Sequence, residues 1–366
     1  MAVRSSHIPS SSKSSPRIGR DPSNLNGYPS LTIPEPGIRL LAFDDGGVRG
    51  LAMLLLLRDV LRQYQQAVGL HTLPRPCDCF DIIAGSGTGG FIALMLGRLR
   101  LSIENAIECY ARVVEHVFAQ TKAGGNFKAT PFEKVLREIS RRFGEGEETP
   151  VLDPYPMPCK TFVCTREEDE SGRTTSQKLR TYSRPDQPAI RCTLVEAVRA
   201  TMGNPTFFKP LSVVKENGTV SFLDAGDDHC NPVFDLYEEA RFFYPSRDVA
   251  YNLSLGPGTV DTIGENPPRR FVSLPRLPPA TLSALRHLAD RCDRIAADFN
   301  TAYGDSEGKY CRLTPSHPPH AAKIRWEQEE ALQELTLPYI TAMSDQVSAF
   351  VLAMMNETAA RHGSAR

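Results

Sequence analysis

The segment from Cys79 to Gly97 constrains the fold of this chain most strongly. It reads CFDIIAGSGTGGFIALMLG, a short apolar run, a glycine-rich turn and a second apolar run. A buried strand that enters a tight turn and continues as a helix is the repeating unit of parallel sheets covered by helices. Because further strand and helix patterns alternate in the same way, we predict an α/β fold. It has a mainly parallel central sheet flanked by helices, a three-layer sandwich with additional C-terminal helices.

The other elements follow from the spacing of apolar residues and from the turn-forming residues between them. The predicted strands are Ile38 to Phe43, Phe80 to Ala84, Lys160 to Cys164, Gln177 to Thr181, Val220 to Leu223 and Tyr251 to Leu255. The predicted helices are Gly50 to Ala67, Gly90 to Leu99, Ser102 to Phe118, Leu194 to Met202, Ala280 to Tyr303 and roughly Lys323 to His362. The charged stretch from Arg166 to Thr175 carries no core signal and is predicted to be a loop.

Three regions differ in composition, and the difference predicts the domain organisation. Residues 1–35 are rich in Ser and Pro, which is typical of a disordered leader. Residues 36–260 hold the alternating elements and are predicted to form the main domain. Residues 261–366 are predicted to form a helical extension that packs on the same domain.

Charge and composition argue against several classes of protein. The net charge of −1 gives no global field that would attract nucleic acid. No apolar run reaches the roughly 20 residues that cross a bilayer, so no transmembrane segment is expected. Nine cysteines form an odd set without zinc-finger spacing, which predicts reduced thiols in the cytoplasm. We expect no bound metal and no cofactor.

Three glycine-rich turns follow predicted strands. They are Asp44-Asp45-Gly46-Gly47-Val48-Arg49-Gly50, Gly85-Ser86-Gly87-Thr88-Gly89 and Asp224-Ala225-Gly226. The second turn has the layout of a nucleophile elbow, G-x-S-x-G, in which a serine at the strand-to-helix turn attacks the substrate. Its centre is Gly87, which has no side chain to attack with.

The three turns, in this order, resemble the patatin-like phospholipase family. That family has an oxyanion loop D-G-G-G-x-R-G, an elbow G-x-S-x-G and a D-G-[GA] turn. The resemblance implies a serine–aspartate acyl hydrolase of lipids, with Gly87 at the nucleophile position and Asp224 as general base. It also assigns the residues of the two glycine-rich motifs. The oxyanion loop is Asp45, Gly46, Gly47, Val48, Arg49 and Gly50, and the rest of the elbow is Gly85, Ser86, Thr88 and Gly89.

Each turn departs from the family pattern. Asp45 stands in place of a glycine of the oxyanion loop, Gly87 in place of the serine, and Ala225 in place of a glycine in the third turn. An Asp45 carboxylate that faces the pocket would repel an oxyanion, whereas one that faces solvent would be harmless. The sequence leaves both orientations open. It also leaves open whether Arg49 braces the loop against carbonyls or a carboxylate, as the resemblance implies, or is a surface or structural arginine, and the second interpretation is favoured.

We therefore predict that ester hydrolysis has been lost. The expected protein is a pseudoenzyme that binds a lipid, a fatty-acyl group or another apolar small molecule, and this class is compatible with peripheral membrane contact. One alternative is an enzyme for a non-hydrolytic reaction in the old acyl pocket, such as proton transfer by Asp224 and Asp45. A second alternative is a residual phospholipase or esterase that uses Ser86 as its nucleophile.

Three weaker patterns are interpreted as structural. Gly85-x-Gly87-x-x-Gly90 matches the dinucleotide fingerprint, but the window about 20 residues further on reads as a helix rather than a second strand. The other two patterns are a neighbouring His-Cys pair after the third turn and a His-Pro-Pro-His run. Their residues are His229, Cys230, His317 and His320.

Overall fold

Eight strands form one sheet within the residues that the structure describes. The structure is a computed structural model that describes residues 36–118, 127–215, 218–263, 278–304, 309–316 and 329–363. The strands are β1 Ile38–Phe43, β2 Ile82–Ser86, β3 Lys160–Glu168, β4 Thr174–Arg180, β5 Leu211–Lys215, β6 Gly218–Leu223, β7 Val249–Leu255 and β8 Tyr310–Leu313. Their order is β5-β6-β3-β2-β1-β7-β8, and β4 also pairs with β3. Neighbours among β3, β2, β1, β7 and β8 are parallel, which confirms the predicted fold class.

Helices pack on both faces of this sheet. The described helices are α1 Leu51–Val68, α2 Pro76–Cys79, α3 Gly87–Ala93, α4 Ile103–Val113, α5 Ala129–Phe143, α6 Leu194–Thr201, α7 Val233–Phe243, α8 Pro279–Tyr303, α9 Glu329–Ala342 and α10 Ser344–Gly363. Successive side chains of β7 point to opposite faces of the sheet. The ring of Tyr251 packs on Phe350 of α10, whereas Asn252 lines a cavity with Tyr237 of α7 and Phe299 of α8.

The charged stretch after Cys164 is not a loop, and this prediction was wrong. Arg166 to Glu168 continue β3, and Thr174 opens β4, so the loop shrinks to a turn in which Asp169 accepts the N–H groups of Ser171 and Arg173. Arg166 to Glu168 are polar and half-buried, and the side chains from Asp169 to Ser176 are exposed, so this stretch lacks the apolar alternation that identifies a strand in sequence.

The long C-terminal helix was also predicted incorrectly. The described part of it is two helices, α9 and α10, which meet at Met343. Both pack on α1, and α10 also packs on β7, so the break lets each helix bury a face against the same layer.

The residues from Pro36 onward form one compact unit. The division predicted between residues 260 and 261 stays a prediction. The leader over residues 1–35, the residues His317 and His320, and Trp326 of the predicted C-terminal helix lie outside the described residues.

Candidate functional site

The sheet brings the three glycine-rich turns together at one corner. β1 and β2 are parallel neighbours with Phe43 opposite Gly85, so the turns that follow them lie side by side. β2 pairs with Lys160–Cys164 of β3, and β6 pairs antiparallel with the next part of the same strand, Arg166–Glu168. Because β4 occupies the other edge of β3, β6 follows directly beyond the end of β2. The residue after β6, Asp224, is thereby delivered to the turn after β2.

Gly87 is the first residue of α3 and follows β2 without a connecting loop. Its φ of +54° lies in the left-handed region, which strains any residue that carries a Cβ. Space is a second restriction, because an ideal Cβ on Gly87 would overlap the carboxyl group of Asp45. A side chain at position 87 therefore does not fit while Asp45 keeps this conformation.

The carboxyl group of Asp45 faces the elbow and is not turned to solvent. The residue is only 6 % exposed, and its Oδ1 accepts the N–H of Gly47 at 3.2 Å and the N–H of Thr88 at 3.4 Å. In serine hydrolases with a strand–turn–helix elbow, the oxyanion donors are the N–H after the nucleophile and an N–H from a neighbouring loop. Thr88 and Gly47 hold these two positions here. Asp45 therefore binds the donors that an oxyanion would need.

Burial raises the pKa of Asp45 to about 7. The negative charge of Asp224 raises this pKa further, whereas the N–H groups of Gly47 and Thr88 stabilise the carboxylate and lower it. The side chain therefore exchanges its proton near neutral pH. A buried carboxyl group poised in this way is itself a candidate functional group.

Asp224, the expected general base, is buried and has partners on both carboxylate oxygens. Arg166 Nη2 donates to Oδ1 at 2.9 Å and Asn204 Nδ2 donates to Oδ2 at 2.7 Å. Arg166 Nε also donates to the backbone carbonyl of Asp224 at 3.1 Å. Sequence reasoning missed both partners. Arg166 lay in the stretch assigned to a loop, and nothing in the sequence connects Asn204 to the third turn.

The rest of the oxyanion loop is held by internal bonds. The N–H of Gly46 donates to Thr88 Oγ1 at 3.1 Å, and Tyr110 donates to the carbonyl of Gly47 at 3.1 Å. Gly47 has a φ of +54°, the positive-φ conformation expected for a residue that must aim its N–H inward. Val48 lies in the short 3₁₀ turn that Gly47 opens, and Gly50 joins this turn to α1.

Arg49 is buried and braces the oxyanion loop against backbone carbonyls, the role that the sequence analysis did not favour. Its guanidinium is buried and donates to the carbonyl of Gly258 at 3.0 Å and to Thr262 Oγ1 at 2.7 Å. These bonds join the oxyanion loop to the segment after β7. Burial lowers the pKa of Arg49 to about 10 although nearby acidic groups, among them Asp293 and Asp45, raise it, so the side chain still carries its charge at neutral pH.

The other elbow residues and the nearby histidine are bonded elsewhere. The hydroxyl of Ser86 donates to the carbonyl of His229. Gly85 lets the end of β2 approach α3, and Gly89 lets α3 approach the backbone of Phe43 and Asp44 at the end of β1. His229 binds Asp235 through Nδ1 at 2.8 Å, and this bond raises the pKa of the histidine. Cys230 Sγ is 3.4 Å from the carbonyl of Asp227, so His229 and Cys230 do not bond to each other through their side chains.

A narrow apolar cavity opens beside Asp45. Its volume is about 10 Å³, about the space of one water molecule. The lining residues are Asp45, Gly47, Thr88, Phe118, Phe127, Met202, Asn204, Phe207 and Phe208. The phenylalanine rings pack closely, and the pair Phe118 and Phe127 meets edge to face with ring centroids 5.0 Å apart. The cavity is therefore closed by aromatic side chains, which the sequence did not indicate.

Neither a metal cluster nor a membrane-spanning helix is found in the described parts of the chain. Among the described residues, no three of the His, Cys, Asp and Glu types come together as a set of metal ligands. None of the helices there combines the length and apolar character needed to span a bilayer.

Comparison with known proteins identifies the family. The family model described as patatin-like phospholipase matches residues 41–235, more than half of the 366 residues. The chain belongs to the patatin-like phospholipase family. The matched residues include all three glycine-rich turns of this patatin-like chain, and the window that a dinucleotide site would require as a strand is helix α4.

Three curated relatives show the range of similarity of this patatin-like chain. A calcium-independent phospholipase A2-gamma of Oryctolagus cuniculus is 33% identical over 62% of this chain and 29% of its own length. A cGAMP-activated phospholipase of Vibrio cholerae is 26% identical over 61% of this chain and 64% of its own length. The probable inactive patatin-like protein 9 of Arabidopsis thaliana is 29% identical over 64% of this chain and 63% of its own length. The chain thus spans less than two thirds of each of these relatives.

Proposed function

We propose that this patatin-like protein does not hydrolyse esters and acts as a pseudoenzyme that binds a lipid or fatty-acyl molecule. One observation carries the proposal. The carboxyl group of Asp45 lies where the side chain of an attacking residue at position 87 would begin, and it accepts the two N–H groups that would stabilise an oxyanion. The name of the inactive relative in Arabidopsis thaliana supports the loss of hydrolysis.

Serine hydrolysis needs a nucleophile, a base and oxyanion donors, and at this corner of the sheet each of these is either absent or already bonded to another group. Attack needs a hydroxyl, and Gly87 has none. The base would be Asp224, whose two carboxylate oxygens already bind Arg166 and Asn204. An oxyanion donor is worth roughly 3 to 4 kcal/mol to the reaction, and both donors here bind Asp45. A developing negative charge would also lie next to this carboxyl group.

The walls of the cavity beside Asp45 support an apolar ligand. Phe118, Phe127, Phe207 and Phe208 offer ring faces that suit an acyl chain. Sites for small molecules usually measure about 300 to 1,000 Å³, so a ligand enters this site only when the rings move apart. The phospholipase names of the relatives in Oryctolagus cuniculus and Vibrio cholerae support a lipid as that ligand.

The test is the binding of a fluorescent fatty acid to the purified protein, together with mass spectrometry of any lipid extracted from it. Met202→Phe adds bulk in the cavity and is expected to weaken binding by about tenfold or more. Met354→Phe is the matched control, since Met354 is equally buried but lies on α10. Equal binding by wild type and both variants would place the fatty acid elsewhere and contradict the proposal.

A second function, non-hydrolytic proton transfer, is favoured by the pKa of about 7 at Asp45. A general acid or base works best when its pKa is close to the working pH, and Asp45 borders the cavity that would hold the substrate. Asp45→Asn would then abolish the reaction while ligand binding persists. If Asp45→Asn keeps the reaction, Asp45 does not transfer the proton, and a ligand-binding pseudoenzyme is then the better explanation.

Residual hydrolysis through Ser86 is the least supported alternative. The hydroxyl proton of Ser86 bonds to the carbonyl of His229, and no contact between Ser86 and Asp224 is seen among the residues that are described. Wild-type protein is expected to turn over p-nitrophenyl butyrate no faster than buffer does. Turnover that Ser86→Ala removes would establish this alternative and overturn the proposal.

A further inference from the structure

One carboxylate oxygen of Asp45 is left without a partner at the cavity beside the elbow. Oδ1 accepts the N–H groups of Gly47 and Thr88, whereas Oδ2 has no hydrogen-bond partner among the described residues. Unlike Oδ1 of Asp44, this oxygen is not one of the fully enclosed polar atoms that lack a partner, so it has access to the cavity that Asp45 lines. It is therefore available to accept a hydrogen bond from whatever the cavity holds.

The N–H groups around this oxygen are already used. Those of Gly47 and Thr88 bind Oδ1 of Asp45, and Asn204 Nδ2 donates to Asp224 at 2.7 Å. The remaining side chains of the described wall are phenylalanine rings and one methionine, which have no N–H or O–H to donate. The polar end of a ligand must therefore donate a hydrogen bond to Asp45 rather than accept one.

The charges near the cavity favour a cation as this donor. Asp224 and Asp44 both add negative potential at Asp45. No Lys, Arg or His side chain is found in the described wall, because Arg49 binds the segment after β7 and Arg166 binds Asp224. A carboxylate head group would lie beside Asp45 without a cation to pair with, whereas an ammonium group would be paired.

The size of the cavity restricts the cation to a small one. Its volume of about 10 Å³ is about the space of one water molecule, and a primary ammonium, with a single heavy atom, is of similar size. We propose, building on the proposed lipid-binding function, that the ligand of this cavity is an apolar molecule with a primary amine, whose ammonium binds Oδ2 of Asp45. The bond is a charge-assisted hydrogen bond, and the hydrocarbon chain lies between the phenylalanine rings once they move apart.

Binding of the ammonium also moves a proton. The amine stays protonated at pH 7, because its pKa is close to that of a lysine side chain, about 10. Asp45, with a pKa of about 7, is partly protonated before the ligand binds. The ammonium stabilises the carboxylate, so the carboxyl group gives its proton to the solvent. Binding at pH 7 therefore releases on the order of half a proton for each ligand bound.

The experiment is isothermal titration calorimetry of the full chain at pH 7 with octylamine, 1-octanol, octanoic acid and octyltrimethylammonium. Octylamine is expected to bind about tenfold more tightly than octanol. Octanoic acid and octyltrimethylammonium should bind more weakly than octanol, because the acid is an anion and the trimethylammonium is larger and has no N–H. Titrations in two buffers with different ionisation enthalpies measure the proton release.

Two variants locate the preference. Asp45→Asn keeps an oxygen that accepts the N–H groups of Gly47 and Thr88 but loses the charge, so it should remove both the preference for octylamine and the proton release. Asp228→Asn is the matched control, because Asp228 is an exposed acid that does not line this cavity. It should leave both quantities unchanged.

Several results would overturn the amine proposal and leave the proposed function standing. They are octanoic acid that binds as tightly as octylamine, octylamine that binds without proton release, and no octylamine binding up to about 1 mM while the fluorescent fatty acid binds. All three are measured on wild type and do not depend on the folding of Asp45→Asn. Absence of binding by the four octyl compounds and by the fluorescent fatty acid would overturn both proposals.

Discussion

Asp45 and Asn252 are both buried polar side chains next to the same sheet, but they differ in how their hydrogen bonds are satisfied. Asp45 accepts two N–H groups from its own chain and leaves a cavity of about 10 Å³. The Asn252 amide has no partner among the described residues, and this residue lines a cavity of about 180 Å³. The corner that carries the reaction in the family is thus closed by the chain itself. The region between the sheet and the helices α7 and α8 keeps a larger cavity and a buried amide without a partner.

The largest expected effect concerns the space that Asp45 occupies. Gly87→Ala should lower the free energy of unfolding by about 4 kcal/mol, because a Cβ there both adopts a positive φ and overlaps the Asp45 carboxyl group. Gly69→Ala is the matched control, since Gly69 also has a positive φ but a Cβ added there would have nothing within 4 Å. This control should cost only about 1 kcal/mol. Urea unfolding measures both values.

The same substitutions in an Asp45→Gly background isolate the cause. Without the carboxyl group, Gly87→Ala and Gly69→Ala should cost similar amounts, because only the backbone strain remains. If the cost of Gly87→Ala stayed equally high in that background, overlap with Asp45 would not be its origin.

A second prediction compares replacement by leucine at two buried polar residues, Asp224 near the closed Asp45 cavity and Asn252 beside the larger cavity. Asp224→Leu should destabilise the protein by about 3 kcal/mol, because Arg166 and Asn204 both lose their partner. Asn252→Leu should instead stabilise it by about 1 kcal/mol, because it removes an amide that has no partner. Thermal and urea unfolding give the sign of each change. Destabilisation of similar size in both variants would erase the proposed difference between the two sides.

The third prediction uses the pKa of Asp45, about 7 in the folded protein and near 4 in an unfolded chain. Between these values the folded state binds the extra proton, so this group's contribution to stability falls as the pH rises through the window. The unfolding free energy of wild type relative to Asp45→Asn should decrease by about 2 kcal/mol from pH 5 to pH 7. Asp44, whose pKa burial raises to about 6, is common to both proteins and cancels. A difference that stays constant with pH would mean that Asp45 is ionised throughout.

Much of the fold could be predicted from apolar spacing. The pattern over Ile38 to Phe43 gave β1 at its observed bounds, and the pattern over Leu194 to Met202 gave α6. Helix α5 was missed although Phe132, Val135, Leu136 and Ile139 lie on one face, so here the signal was present in the sequence. The extension of β3 could not be found in this way, because its side chains are all polar or charged and have no apolar period.

The site was predictable in its position but not in its contacts. Local motifs located the three turns, because glycines at strand-to-helix turns are a short-range signal. The direction of the Asp45 side chain depends on N–H groups at Gly47 and Thr88, and the latter lies 43 residues away. The partners of Asp224 and the absence of partners at Asn252 likewise depend on strand pairing, which one sequence does not reveal.

The central claim is that the Asp45 carboxyl group fills the space that a side chain at residue 87 would need and binds the N–H groups of Gly47 and Thr88 that would stabilise an oxyanion. The most direct measurement is covalent labelling by a fluorophosphonate, followed by mass spectrometry, of wild type, Gly87→Ser, Asp45→Gly and the Asp45→Gly/Gly87→Ser double variant. Labelling requires a serine at position 87 together with free N–H donors at Gly47 and Thr88. We expect a label on residue 87 in the double variant and on none of the other three proteins. Equal labelling of Gly87→Ser alone would contradict the account, because a serine would then react while Asp45 is still present.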